Sequence, residues 1–267
     1  MAEIHPSASV DGDVELADDV VVGPHCVLTG PVRLGAGCRL IGHVYLNGPI
    51  QLGERNLVYP FTTLGFAPQD FKWDPKRPGA GVSIGNDNVF RESVTIHRAT
   101  SDDTPTRIGD RTYWMVNSHA GHDCRVGSGS VFANGALLAG EVEIGEGVIA
   151  GGNVAIHQQC RVGRGALLSG TAGLNKDLPP FFMLTGGNVA GSINVVGMRR
   201  LGMPGEQIDD VKWVYKTLYR RGLSLARAKD ALHERSERPI VAEYLAFLDG
   251  SKKGLVPGVF DRHRGID

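Results

Sequence analysis

The sequence predicts a parallel β-solenoid of stacked triangular coils, followed by a small bundle of C-terminal helices. Three observations predict it. An apolar residue recurs at every sixth position from Ile4 to Leu64 and again from Ile84 to Leu174, broken only at Asp102. A second inward position, four residues after each of these, is small or β-branched, as at Val20, Cys26, Val44, Ala136, Val154 and Ala166. After Pro204 the period turns helical. A repeat of six fits neither a helix nor an isolated strand, and internal repeats decide architecture before local propensity does.

Within each hexad, positions i, i+2 and i+4 share one strand face. One large and one small residue therefore point inward, and three hexads close a coil stacked about 4.8 Å from the next. Glycine often follows the large residue, as at Gly23, Gly35, Gly53, Gly127 and Gly145, where a corner is expected to need a permissive backbone. The first run ends at Leu64. The step from there to Ile84 is not a multiple of six, so a Pro-rich, aromatic loop over 66–82 is inserted. Long loops on rigid scaffolds carry function. A smaller polar irregularity runs from Arg98 to Arg107. The division predicted is 1–180 for the β-helix with its inserted loop and 181–267 for a linker and helical domain. In the latter, Ile208, Val211, Val214, Tyr215 and Leu218 form one stripe, Gly222 stops that helix, Ser224 caps the next, and a third follows Pro239.

Composition narrows the classes. The chain of 267 residues is 42% hydrophobic and 21% charged, with a net charge of −1, which carries no nucleic-acid signature. Residues 196–267 hold 14 Lys and Arg against 10 Asp and Glu, so this end is basic and the stem acidic. No signal peptide is expected at Met1–Val10, and no stretch reaches the roughly 18 apolar residues of a membrane span. Cys26, Cys38, Cys124 and Cys160 all take the small inward position and read as core thiols in a reducing cytoplasm.

The chemistry concentrates at Asn117–Cys124. At three hexads per coil, His119, His122, Glu141 and His157 align near one corner over three layers. A neutral imidazole there serves as a general base, and Asp123 is placed to orient His122. Zinc held by His119, His122 and His157 is the alternative chemistry. His97 does not align with them at that coil length.

These residues resemble a known family. Arg91–Arg98, His119-x-x-His122-Asp123-Cys124, Leu138-Ala139-Gly140 and Ile156-His157-Gln158 are similar to motifs of the UDP-N-acetylglucosamine O-acyltransferases that open lipid A biosynthesis. So are Gln69–Trp73 and Asn194-x-x-Gly197-Met198-Arg199-Arg200. The resemblance implies a left-handed β-helix, a homotrimer, cytoplasmic location and no cofactor beyond the phosphopantetheine arm of the acyl carrier protein partner. It implies transfer of a 3-hydroxyacyl chain to the 3-position of UDP-N-acetylglucosamine or its 3-amino analogue. It makes His122 the base, Asp123 its support and the Gly140 amide the oxyanion donor. It puts Gln69, Asp70, Lys72, His119, His157, Gln158, Asn194, Arg199 and Arg200 around the substrates, with Gly170 lining the acyl tail and leaving room for a longer chain. The basic C-terminal end then suits an acidic carrier protein.

Two positions depart from the family pattern. Glu141 stands where it has His, and Val189 follows Gly187-Asn188 where it has His, with a shortened segment to Asn194. A carboxylate at 141 is expected to raise the pKa of His122 and to suit an ammonium acceptor. The readings left open are a hexapeptide acyltransferase acting on another nucleotide-linked amino sugar, a trimeric zinc hydratase and a non-catalytic scaffold.

Overall fold

The computed structural model describes residues 1–259, so the 260–267 part of the predicted helical domain lies outside the described residues. Short strands repeat around a triangular prism in about ten turns. Among the described residues they build three faces of 11, 9 and 8 strands, all pairings parallel except one terminal hairpin. The first face runs Val21–Val22, Arg39–Leu40, Leu57–Val58, Val89–Phe90, Tyr113–Trp114 and onward. The second includes Thr63–Phe66, Thr95–His97, His119–Ala120, Leu137–Leu138 and Ala155–Ile156; the third includes Thr106–Ile108, Arg125–Val126, Glu143–Ile144 and Arg161–Val162. Coil partners such as Val126 and Ile144 stand three hexads apart.

The sixfold residues are the core. Leu28, Leu46, Phe90, Ile96, Trp114, Phe132 and Leu138 are wholly buried. Trp114 stacks between Phe90 and Phe132, at 6.3 and 4.0 Å between centroids. Several small inward slots are polar, and each is satisfied, since an unpaired polar group in the core is costly. Asn88 Nδ2 donates to Asn56 Oδ1 (2.9 Å), Thr112 donates to Asn88 Oδ1 (2.7 Å) and Trp114 Nε1 donates to Thr112 (2.9 Å). All four cysteines are buried and free.

Two expectations are corrected. The glycines after the large residues do not need left-handed backbone. They are required by crowding, because a Cβ on Gly145 would sit 2.5 Å from Arg164 N in the coil above. Positive φ falls two residues further on instead, at Asp123, Glu141 and Gln159 among others, all near +60°. The second correction concerns Asp102. It is not a flawed core slot. Ile96 pairs with Ala120, four hexads on instead of three, so this coil carries one whole extra hexad between Thr95–His97 and Thr106–Ile108. A whole extra hexad leaves the sixfold phase intact, which is why the periodicity runs straight through the insertion. The earlier loop is the larger one, since Leu57 pairs with Val89, more than five hexads on.

The first face continues past residue 180 through Phe182–Thr185, which returns as Val189–Ile193. Helix α1 (Val195–Arg200) follows and was not expected; it is too short to show a period. Helices α2 (Gly205–Tyr219), α3 (Leu225–His233) and α4 (Pro239–Asp249) match the helical pattern, with Ser224 capping α3. They cover the open end of the stem, which a solenoid requires. Phe182 packs among Tyr215, Tyr219 and Tyr244, and Tyr244 donates to Pro180 O (2.5 Å). Arg164 meets Glu243 through two bonds of 2.6 and 2.7 Å.

Candidate active site

The edge between the second and third faces carries both insertions, His97, His122 and His157, with His119 on the strand leading to it. His122 lies at the corner between strands His119–Ala120 and Arg125–Val126. Its Nδ1 is 2.8 Å from Asp123 Oδ2. The opposite nitrogen faces the coil above, where a Cβ on Gly140 would lie 2.5 Å from Cε1 of the ring. Only glycine fits over this imidazole. Among the described residues the Gly140 N–H has no acceptor.

Electrostatics separate the three histidines. The hydrogen bond to Asp123 raises the His122 pKa above the ordinary imidazole value, with Asp70 and Glu141 adding to it. His119 is lowered by burial and by His122; its Nδ1 is 2.7 Å from Thr95 Oγ1. His97 is lowered to about 4 by burial and by its two neighbours. Its ring meets His119 edge-on at 5.0 Å, and its buried Nδ1 has no partner among the described residues. Asp123 is held down at about 2 by His122, Thr100 and Ser101, against the burial that opposes ionisation.

His97 is the site residue that the repeat count excluded. The inserted hexad shifts its register, so it lies beside His119 rather than off the corner. Recognising that a whole hexad is inserted between Arg98 and Thr106 would have found it.

Asp70 reaches this edge from the inserted loop and acts on His122. It also caps its own turn through the Lys72 N–H at 2.9 Å, while Gln69, Phe71 and Lys72 are exposed. Arg98 anchors the loop by donating to Gly65 O (2.7 Å), Pro78 O (3.2 Å) and the side chain of Asn47. Glu141 takes the same edge one coil above Asp123 and accepts from Gln159 Nε2 at 3.2 Å. His157 and Gln158 are exposed two coils above His122, about 10 Å by coil spacing.

The other predicted residues lie on other edges. Gly170 is exposed between the first and second faces. Asn194 is buried near the third–first edge, where Nδ2 donates to Gly165 O (3.0 Å) and Oδ1 accepts from Gly197 N–H (2.9 Å) to cap α1. Arg199 and Arg200 are exposed at the end of α1. Val189 is buried in the terminal hairpin. Among the described residues no group of three or more His, Cys, Asp or Glu is placed to hold a metal ion.

Fold and site define a hexapeptide-repeat solenoid protein with an imidazole–carboxylate dyad on one edge and a helical cap. Known proteins narrow this. A family model described as Udp N-acetylglucosamine O-acyltransferase, Domain 2, matches residues 177–256. Proteins named acyl-(acyl-carrier-protein)–UDP-N-acetylglucosamine O-acyltransferase from Thermodesulfovibrio yellowstonii and Halorhodospira halophila are each 40% identical. Each match spans 96% of this chain and 99% or 100% of the relative. The Francisella novicida UDP-N-acetylglucosamine acyltransferase structure superposes with a TM-score of 0.92 at 33% identity, over 96% of this chain and 94% of that one. The Moraxella catarrhalis enzyme gives 0.90 at 35%, over 95% and 99%. The chain belongs to the acyl-(acyl-carrier-protein)–UDP-N-acetylglucosamine O-acyltransferase family.

Proposed function

We propose that the chain transfers a 3-hydroxyacyl group from acyl carrier protein to the 3-position of UDP-N-acetylglucosamine, the first step of lipid A biosynthesis, with His122 as general base. The dyad carries this reading: Asp123 takes Nδ1, so that in the neutral ring Nε2 is the free acceptor, and it faces Gly140. His122 Nε2 takes the proton of the 3-hydroxyl, and the oxygen attacks the thioester carbon. The Gly140 N–H donates to the oxyanion. The C–S bond then breaks, and the leaving sulfur of the phosphopantetheine arm takes the proton from His122. Family membership over the whole chain supports the substrates.

Glu141 favours a second acceptor. Its carboxylate stands one coil above the dyad, where an amine at the 3-position would sit well. Parallel assays with 3-hydroxy and 3-amino sugars separate the two.

The homotrimer is supported by the chemistry of the faces. From residue 89 on, the outward residues of the first face are Val89, Tyr113, Val131, Ile149, Leu167 and Met183, with Val21, Arg39 and Leu57 in the coils before them, and those of the second are Thr95, His119, Leu137, Ala155 and Gly173. The third presents Arg107, Arg125, Glu143 and Arg161. A threefold arrangement sets first face against second and leaves the charged face in water. Acyl carrier protein would dock on the hollow at the end of α2, about 460 Å³ and lined by Ile193, Tyr215 and the basic Lys212, Lys216, Arg220 and Arg221. Cytoplasmic location is supported by the four unpaired core thiols; among the described residues no helix is long and apolar enough to cross a membrane.

The deciding measurement is acyl transfer from 3-hydroxyacyl carrier proteins to UDP-N-acetylglucosamine by the wild type and His122→Ala. The variant is expected to lose at least ~100-fold in kcat, as removal of a general base does. A fully active variant removes His122 from the chemistry.

A further inference from the structure

The inserted hexad does more than interrupt the stack. Thr100 and Ser101, on its first half, close over the carboxylate of Asp123. Thr100 N–H lies 3.1 Å from both oxygens, Thr100 Oγ1 is 2.7 Å from Oδ2, and Ser101 N–H is 3.3 Å from Oδ1. Where the insertion rejoins the stack, Thr106 Oγ1 accepts the Asp123 backbone N–H at 2.8 Å. Asp123 itself stands in left-handed backbone at φ +60°, a conformation that non-glycine residues keep only where their surroundings hold it. The insertion is tied down in turn: Arg77 of the larger loop pairs with Asp102 at 2.6 Å, and Ala80 N–H donates to Ser101 O at 2.7 Å.

We propose that Thr100 is a positioning residue for the dyad, its hydroxyl and amide holding the Asp123 carboxylate in the orientation that keeps the His122 proton on Nδ1 and Nε2 free. This rests on His122 being the base. The hydroxyl matters electrostatically as well as sterically. Its O–H and the His122 N–H share one carboxylate oxygen, Oδ2. Each bond to that oxygen spreads its charge and weakens its pull on the imidazolium. Without the hydroxyl, Asp123 keeps the two backbone N–H donors and stays ionised, but His122 becomes its main side-chain partner. The imidazolium is then better stabilised, and the base is neutral only at higher pH.

Thr100→Val keeps the shape and removes the donor; Thr100→Ser restores it. Thr100 is only half-buried, so both should fold, and a thermal midpoint close to wild type establishes that. The titration of His122 is followed by NMR of its ring, alongside kcat and KM over pH. In Thr100→Val the His122 titration and the acidic limb of kcat should move together to higher pH by several tenths of a unit. At neutral pH kcat should fall by about two- to fourfold, the loss of neutral base that such a shift allows, with KM near wild type. Serine should reverse both. A folded valine variant whose His122 titration and acidic limb are unmoved overturns the proposal, as does a loss that serine does not restore. Activity retained in His122→Ala would instead overturn the base reading. The NMR titration, which needs no turnover, still judges the Thr100–Asp123–His122 linkage in that event.

Discussion

Gly140 shows how a single missing side chain builds the site. The corner above His122 leaves no room for a Cβ, which would come 2.5 Å from the ring. Gly140→Ala must therefore displace the imidazole, since the backbone of the coil is fixed by its neighbours. The variant should fold, because the clash falls on a partly exposed side chain, and it should lose kcat by about 100-fold or more, the scale of misplaced general bases. An alanine variant with wild-type kcat would show that the ring tolerates displacement. His97 makes a second prediction at this scale. Its pKa is lowered to about 4 by burial and by His119 and His122. A histidine lowered in the fold resists protonation there, so stability is lost as pH falls below the unfolded value near 6.5 towards 4. The loss approaches about 3 kcal/mol at the lower end of the window. Thermal midpoints between neutral pH and mild acid should fall less steeply in His97→Leu than in wild type, whatever the offset at neutral pH. Equal slopes would remove His97 as the cause.

The elements differ in how far the sequence exposes them, and the reason is periodicity. The hexads and helices α2, α3 and α4 were legible because burial repeats along them. The larger loop was legible because its length breaks the phase between Leu64 and Ile84. The smaller insertion was not, since a whole hexad preserves phase; only Asp102 marked it. That one ambiguity concealed His97 as well as the grip of Thr100 on Asp123. Residues singled out by resemblance differ in where they sit. His122, Asp123, Gly140 and Asp70 share one edge, whereas Asn194 spends both ends of its amide capping α1 and bonding Gly165. Arg98 supplies the prediction for the loop. Among the described residues it is buried without a carboxylate partner, and its guanidinium donates to Gly65 O, Pro78 O and Asn47. Arg98→Met would free the loop that carries Asp70 and Lys72 and strand those carbonyls. Protease cleavage within 66–81 should accelerate, KM for the sugar nucleotide should rise several-fold, and stability should fall by about 1–3 kcal/mol. Unchanged cleavage would mean that the loop is held by its other contacts.

At the scale of the whole molecule, the predicted substrate residues fall on three separate edges of one prism. His122 and Asp70 stand between the second and third faces, Gly170 between the first and second, and Arg199 and Arg200 near the third and first. Side chains on different edges of one coil stack cannot reach a common ligand. A threefold assembly that sets the first face, uncharged from Val89 to Met183, on the second face of a neighbour brings edges of two copies together. Val131 lies within that first face, between Tyr113 and Ile149. Val131→Glu would bury a charge at the contact, so sedimentation should show monomers, and activity should vanish although His122 is untouched. A stronger test mixes two inactive proteins. His122→Ala and the double variant Arg199→Ala, Arg200→Ala each spoil a different edge. If each site draws on two copies, unfolding and refolding them together restores activity to roughly a quarter of wild type, the share of intact pairings in random closed trimers. If every site lies within one chain, no pairing is intact and the mixture stays as inactive as its parts.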